Sequence, residues 1–166
     1  MDANQILRAG APWLQVFVGT TSEAADLATA LEHTKGGRVA ARRLRGDKMK
    51  TSAALFDEMA AALQFPPYFG ENWDALEECL ADLEWLHADT VILVILDAGH
   101  VLNGDTAEAR RTFWTIVEGV AHERGQASKG PPSRHARSFR VLLQCTAAEE
   151  QPLRASLPVL KSLPKE

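Results

Sequence analysis

The 166 residues are 46% hydrophobic and 24% charged, the balance of an ordinary globular protein. That excludes a fibre and bulk disorder, and the length suits one domain with a core of its own. The formal net charge of −4 hides a segregation: positions 51–109 hold twelve acids and no Lys or Arg, while the remainder carries all 18 basic residues and ten acids.

Pro12–Gly19 is rich in β-branched and aromatic residues and predicts a strand. Thr21 or Ser22 can cap a helix over Glu23–His33, with Leu27 and Leu31 on one face and Gly36-Gly37 as the stop. Arg38–Arg45 predicts a second strand, followed by a turn at Gly46-Asp47. Thr51 or Ser52 caps a helix to about Gln64, and Phe65-Pro66-Pro67 ends it. Asn72 is a good cap for a helix from Trp73 to about Leu83.

Thr90–Asp97 is a continuous apolar run closed by Asp97, as expected of a central parallel strand covered on both faces. Thr106 caps a helix from Ala107 to about Arg124, closed by Gly125. Gln126–Ser138 reads as a flexible loop, Phe139–Cys145 as the last strand, and the proline-bearing tail after Thr146 as irregular. Strands alternating with helices predict a mostly parallel sheet with right-handed crossovers.

On a helical wheel, Trp73, Leu76, Cys79, Leu80 and Leu83 form one apolar arc. Asp74, Glu78 and Asp82 lie almost opposite at i, i+4 and i+8, flanked by Glu77. Stacked carboxylates repel by about 0.2–0.5 kcal/mol per pair. No basic residue in this helix relieves the repulsion, and a basic partner would. The alternative is a plain solvated face. The helix macrodipole accounts for Asp74 near the N-terminus, but not for Glu78 or Asp82.

Other chemistries find little support. Cys79 and Cys145 are too few for a disulfide framework and lack metal-ligand spacing, so two buried thiols in a reducing compartment are expected. The five histidines show no paired-ligand motif. Asp97 stands where α/β enzymes place catalytic residues, and with Asp74 and Glu78 could hold Mg²⁺, but no phosphate loop or nucleophile motif accompanies it. The basic stretch of Arg38, Arg42, Arg43, Arg45, Lys48 and Lys50 lacks the interleaved aromatics of a nucleic-acid binder, and better suits a protected edge strand or pairing with the acidic segment. The first 30 residues carry no basic-then-apolar leader, and no apolar run approaches the roughly 20 residues of a membrane span. A cytoplasmic protein without cofactor, metal, nucleic-acid or membrane partner is expected, and not an enzyme.

Phe65–Leu83, FPPYFGENWDALEECLADL, resembles the signature of the barstar family of ribonuclease inhibitors. The matching core is Tyr68-Phe69-Gly70-Glu71-Asn72, then Asp74, Ala75-Leu76, Glu78 and Cys79-Leu80. The resemblance extends more loosely from Arg38 to Cys145. It implies a three-layer α/β fold, a small parallel sheet flanked by helices. Residues 1–36 would add a strand–helix extension, 37–146 the family core and 147–166 an irregular tail, all within one domain.

The resemblance also implies a protein that binds and blocks a basic ribonuclease inside the cell that makes it. By residue-wise matching, Tyr68, Gly70, Asn72, Trp73 and Asp74 correspond to contact positions and Glu78 to the central acid that plugs the nuclease site. Glu77 and Asp82 complete the predicted acidic surface. Trp73 can instead be core, given its place in the apolar arc. Three departures stand out: Glu78 is an Asp in the family's best-studied member, Glu77 replaces an aromatic, and an acid expected on the later helix has no clear match, the nearest positions being Glu118 and Val120. The partner need not be the prototype's nuclease. The alternative is a barstar-like module for another basic protein, with no ribonuclease involved.

Overall fold

The computed structural model describes residues 1–127 and 138–157. In chain order the elements are α1 (Ala3–Leu7), β1 (Leu14–Val18), α2 (Thr21–Glu32), β2 (Val39–Arg45), α3 (Ser52–Leu63), α4 (Trp73–Asp82), β3 (Thr90–Leu96), α5 (Ala107–Ala127), β4 (Ser138–Cys145) and α6 (Glu150–Ser156). The four strands form one sheet in the order β1-β4-β3-β2, and every pair is parallel. The predicted parallel α/β class therefore holds, with β3 inside the sheet and β2 at one edge.

Alternation along the strands divides the core in two. Leu14, Val16, Leu44, Val91, Leu93, Ile95, Val141 and Leu143 face α3, α4 and α5. Ala41, Ile92, Val94 and Leu142 face the opposite way, where Ile6 of α1 and Ala24, Ala28 and Leu31 of α2 cover them. Val91 to Ile95 are all fully buried, which is why that run lacks the polar alternation of a one-sided strand. The N-terminal segment thus extends the sheet through β1 and roofs its second face through α1 and α2.

Several boundaries differ from the sequence expectations. The cap of α2 is Thr20: its side chain accepts the Glu23 N–H at 3.2 Å, and Glu23 accepts the Thr20 N–H at 2.8 Å. Only the Thr20–Glu23 spacing allows this reciprocal pair. Helix α5 runs through Gly125 to Ala127 rather than stopping at the glycine; a helical glycine costs only about 1 kcal/mol relative to alanine. Helix α1 was not foreseen, being a single five-residue turn closed by a capping box between Asp2 and Gln5.

The tail is not wholly irregular, because α6 forms within it and buries Leu153. Pro152 sits in the first turn of α6, where no helical N–H is required. The rest of the tail, from residue 158, and positions 128–137 of the predicted loop lie outside the described residues.

Acids from the surroundings pair with Arg42 and Arg45 of edge strand β2 and with Arg38 just before it. Arg42 meets Glu32 at 2.9 Å, Arg38 meets Asp89 at 3.7 Å, and Arg45 meets Glu58 of α3 at 2.7 Å. Glu58 also accepts the Arg45 backbone N–H at 2.9 Å, so one largely buried carboxylate satisfies both the strand and its side chain. The Arg45 guanidinium holds the Glu58 carboxyl below the ordinary glutamate range, against the opposing effect of burial. Its stabilising effect is therefore complete above the unfolded-state pKa and is lost as pH falls through the lower folded-state value. Glu58→Gln should lower the urea midpoint at pH 7, and the gap to wild type should close in acid. A gap that stays constant with pH would contradict this coupling.

Candidate docking surface

The loop between α3 and α4 rests on a cluster of aromatic rings. Phe65 packs edge-on against Phe69 at 4.8 Å and Trp85 at 6.2 Å, while Phe56 of α3 meets Phe69 at 6.1 Å and Trp73 at 4.8 Å. Each such pair contributes about 0.5–1.5 kcal/mol beyond its buried area. The Trp85 indole N–H donates to the Leu63 carbonyl at 2.8 Å, tying the far end of α4 back to the end of α3. From the sequence, Phe56 is a helix-face residue, Phe65 a helix-end residue and Phe69 part of the family motif, but nothing joins them to one another or to Trp85. Their signal was the density of aromatics between positions 56 and 85.

Above this floor Tyr68 is 74% exposed, one of three large apolar side chains left open among the described residues. Trp73 is half-buried against Phe56, so it serves as foundation while keeping part of its surface accessible.

Three consecutive residues set the start of α4. Glu71 adopts a left-handed conformation with φ of 50°, which costs a non-glycine residue roughly 1–2 kcal/mol. Asn72 then caps the helix, its Oδ1 accepting the Ala75 N–H at 2.9 Å and its Nδ2 donating to the Gly70 carbonyl at 3.1 Å. A Cβ on Gly70 would stand 3.0 Å from that Nδ2, so the missing side chain lets the cap fold back. Asn72→Ala should cost about 1 kcal/mol in chemical denaturation, whereas Asn72→Asp, which keeps the acceptor, should cost less. Equal losses would argue against the cap.

Helix α4 has a buried apolar face, and part of its acidic face is exposed. Leu76 and Leu80 are fully buried and Cys79 nearly so. Asp74, Glu77 and Glu78 are exposed. Among the described residues, neither their carboxylates nor that of Glu71 forms a hydrogen bond or ion pair, and all four residues are exposed. Other acids of the segment are engaged internally: Glu58 by Arg45, Asp89 by Arg38, and Asp105 by Ser52 at 2.6 Å and 2.7 Å. Glu71, Asp74, Glu77 and Glu78 thus stand together as exposed acids within 71–78, while exposed Asp57, Glu84 and Glu108 lie elsewhere in the segment.

Asp82 departs from the predicted row. It is half-buried and interacts electrostatically with Arg124 of α5. The same arginine, buried to 5% exposure, donates from Nη2 to the carbonyls of Leu80 at 3.0 Å, Ala81 at 2.7 Å and Asp82 at 3.0 Å. Arg124 was missed from the sequence because it lies some 42 residues downstream, with no local pattern to link it to α4.

Burial pushes both thiols up, with Glu78 and Asp82 acting the same way on Cys79, so neither is poised as a thiolate nucleophile. No group of three metal-ligating side chains occurs among the described residues. Asp97 has a left-handed backbone whose N–H donates to the Gln144 side chain at 2.7 Å, which fits a strand-end turn. No helix of the described residues is long and apolar enough to cross a membrane.

An all-parallel, helix-flanked sheet describes a class of small α/β proteins. A family model, Barstar (barnase inhibitor), matches residues 39–144, and the chain belongs to that family. Its members are inhibitors rather than enzymes. The match begins at the first residue of β2 and ends one residue short of the end of β4, leaving α1, β1, α2 and α6 outside it. No curated protein matches the chain.

Proposed function

We propose that this chain binds and blocks a basic ribonuclease inside the cell that makes the nuclease, through Tyr68, Gly70, Asn72, Trp73, Asp74, Glu77 and Glu78, with Asp82 at the rim. The observation that carries the reading is the row of exposed, internally unpaired carboxylates on α4, set beside an exposed tyrosine on a firmly packed loop. Ribonuclease active sites gather Arg, Lys and His to hold phosphates. Carboxylates at helical spacing offer the same cations charge-assisted hydrogen bonds. Tyr68 is of the residue type that anchors interfaces.

The uncompensated field also steers a cationic partner towards the helix; the pair formed by the family's prototype and its nuclease is a standard example of such steering. Mixing the purified chain with barnase, and with any cationic ribonuclease encoded beside it, tests the reading through RNA cleavage and complex formation. Inhibition should weaken steadily as salt screens charges over distances of about 10 Å or less. Tight binding to a basic protein without nuclease activity, and to no ribonuclease, would favour the alternative of a module for another partner.

A further inference from the structure

We propose that Arg124 is the positioning residue of the docking helix: reaching across from α5, it closes the C-terminus of α4 and so holds the acidic face in a fixed pose. The inference rests on the docking reading for its functional meaning, but its geometry stands alone. A helix leaves its last four carbonyls without intrahelical donors. In α4 these belong to Cys79, Leu80, Ala81 and Asp82. Leu83 donates its N–H to the Cys79 carbonyl at 3.1 Å, and the two N–H groups of the Arg124 Nη2 are shared among the remaining three at 2.7–3.0 Å.

The charge matters as much as the hydrogen bonds. The C-terminus of a helix carries the negative end of its macrodipole and favours cations. Yet α4 has no basic residue in its last turn and ends on Asp82, the wrong sign for that end. Arg124 supplies the missing cation from another element. An arginine stays charged even where burial disfavours it, as burial does here. Asp74, Glu77 and Glu78 can therefore remain turned to solvent, because Arg124 approaches the end of the helix and not their exposed face.

Amide hydrogen exchange on the full-length chain reads this directly. In Arg124→Met, which keeps an apolar stem, exchange over Leu76–Leu83 should speed about tenfold or more, the range expected when charge-assisted bonds to an end are lost. Protection in β3 and β4 should hold. Arg124→Lys should recover part of the loss. Unchanged α4 protection, an equal loss across β3 and β4, or a Lys variant as loose as Met would each overturn the proposal. Barnase binding by the wild-type chain is scored separately: its absence removes the inhibitor reading, while the exchange result still decides the anchoring.

Discussion

Changing Glu78 to Lys should abolish ribonuclease inhibition while leaving the melting temperature almost unmoved. The two halves of that expectation come from the same observation. Glu78 is exposed and its carboxylate makes no hydrogen bond or ion pair among the described residues, so the fold loses no polar side-chain contact when it changes. Surface changes of this kind stay within about 0.5 kcal/mol. Here the sign can even favour the variant. Glu78 stands one turn from both Asp74 and Asp82, and a Lys replaces two repulsions of about 0.2–0.5 kcal/mol each with attractions.

On the partner's side the balance reverses. A charge-assisted hydrogen bond contributes roughly 1.5–3 kcal/mol, and a lysine there adds like-charge repulsion against a cationic pocket. Together these predict at least a hundredfold weaker inhibition, since about 1.4 kcal/mol is tenfold in affinity. Inhibition assays paired with thermal melts check both halves. Wild-type inhibition by the Lys variant, with its fold intact, would remove Glu78 from the interface. Asp74→Lys should behave in the same direction with a smaller loss, because an acid in the first turn also serves the helix N-terminus, so some stability falls with it.

The parts of the molecule legible in the sequence were those written in local periodicity. The unbroken apolar run Thr90–Leu96 implied a strand covered on both sides, and β3 is that strand. The opposed faces of α4 followed from residues three and four apart, and Asn72 from cap chemistry. What stayed hidden was set by chain segments far apart. Arg124 reaches α4 from α5, and its donors reassign Asp82 from an open docking row to the shielded end of a helix. Glu58 belonged by sequence to the acidic field, but Arg45 withdraws it from the surface. Charge counted along a chain overstates the charge a partner can meet, because tertiary pairing consumes part of it. The aromatic cluster under the loop escaped notice as a cluster for a related reason: Phe56, Phe65, Phe69 and Trp85 come from three different elements or loops, and only the fold brings them together.

A chain beginning at residue 37 should fail to fold as a monomer, although it contains every residue of the family match. Residues 1–36 supply Leu14 and Val16 to the main core, and Ile6, Ala24, Ala28 and Leu31 to the other. Their removal would bare Ile92, Val94 and Leu142, which are at most 1% exposed. Each large apolar side chain so uncovered forfeits about 1.5–3 kcal/mol, and several together match the 5–15 kcal/mol that holds a typical domain. Polar groups would be orphaned too. Arg140 donates to the carbonyls of Ile6 and Arg8, and Gln144 donates to the Gly19 carbonyl at 2.8 Å. Strand β4 would become an unpaired edge along the five residues it now shares with β1, which invites aggregation. Size-exclusion chromatography and near-ultraviolet circular dichroism of the truncated chain would show aggregates or an unfolded species. A graded version is Leu31→Ala, which should cost about 2–5 kcal/mol in urea unfolding. A truncated chain that melts cooperatively as a monomer would make the N-terminal layer an accessory. The expected failure would make it part of one cooperative unit, so that the region the family shares is smaller than the region that must fold to present α4.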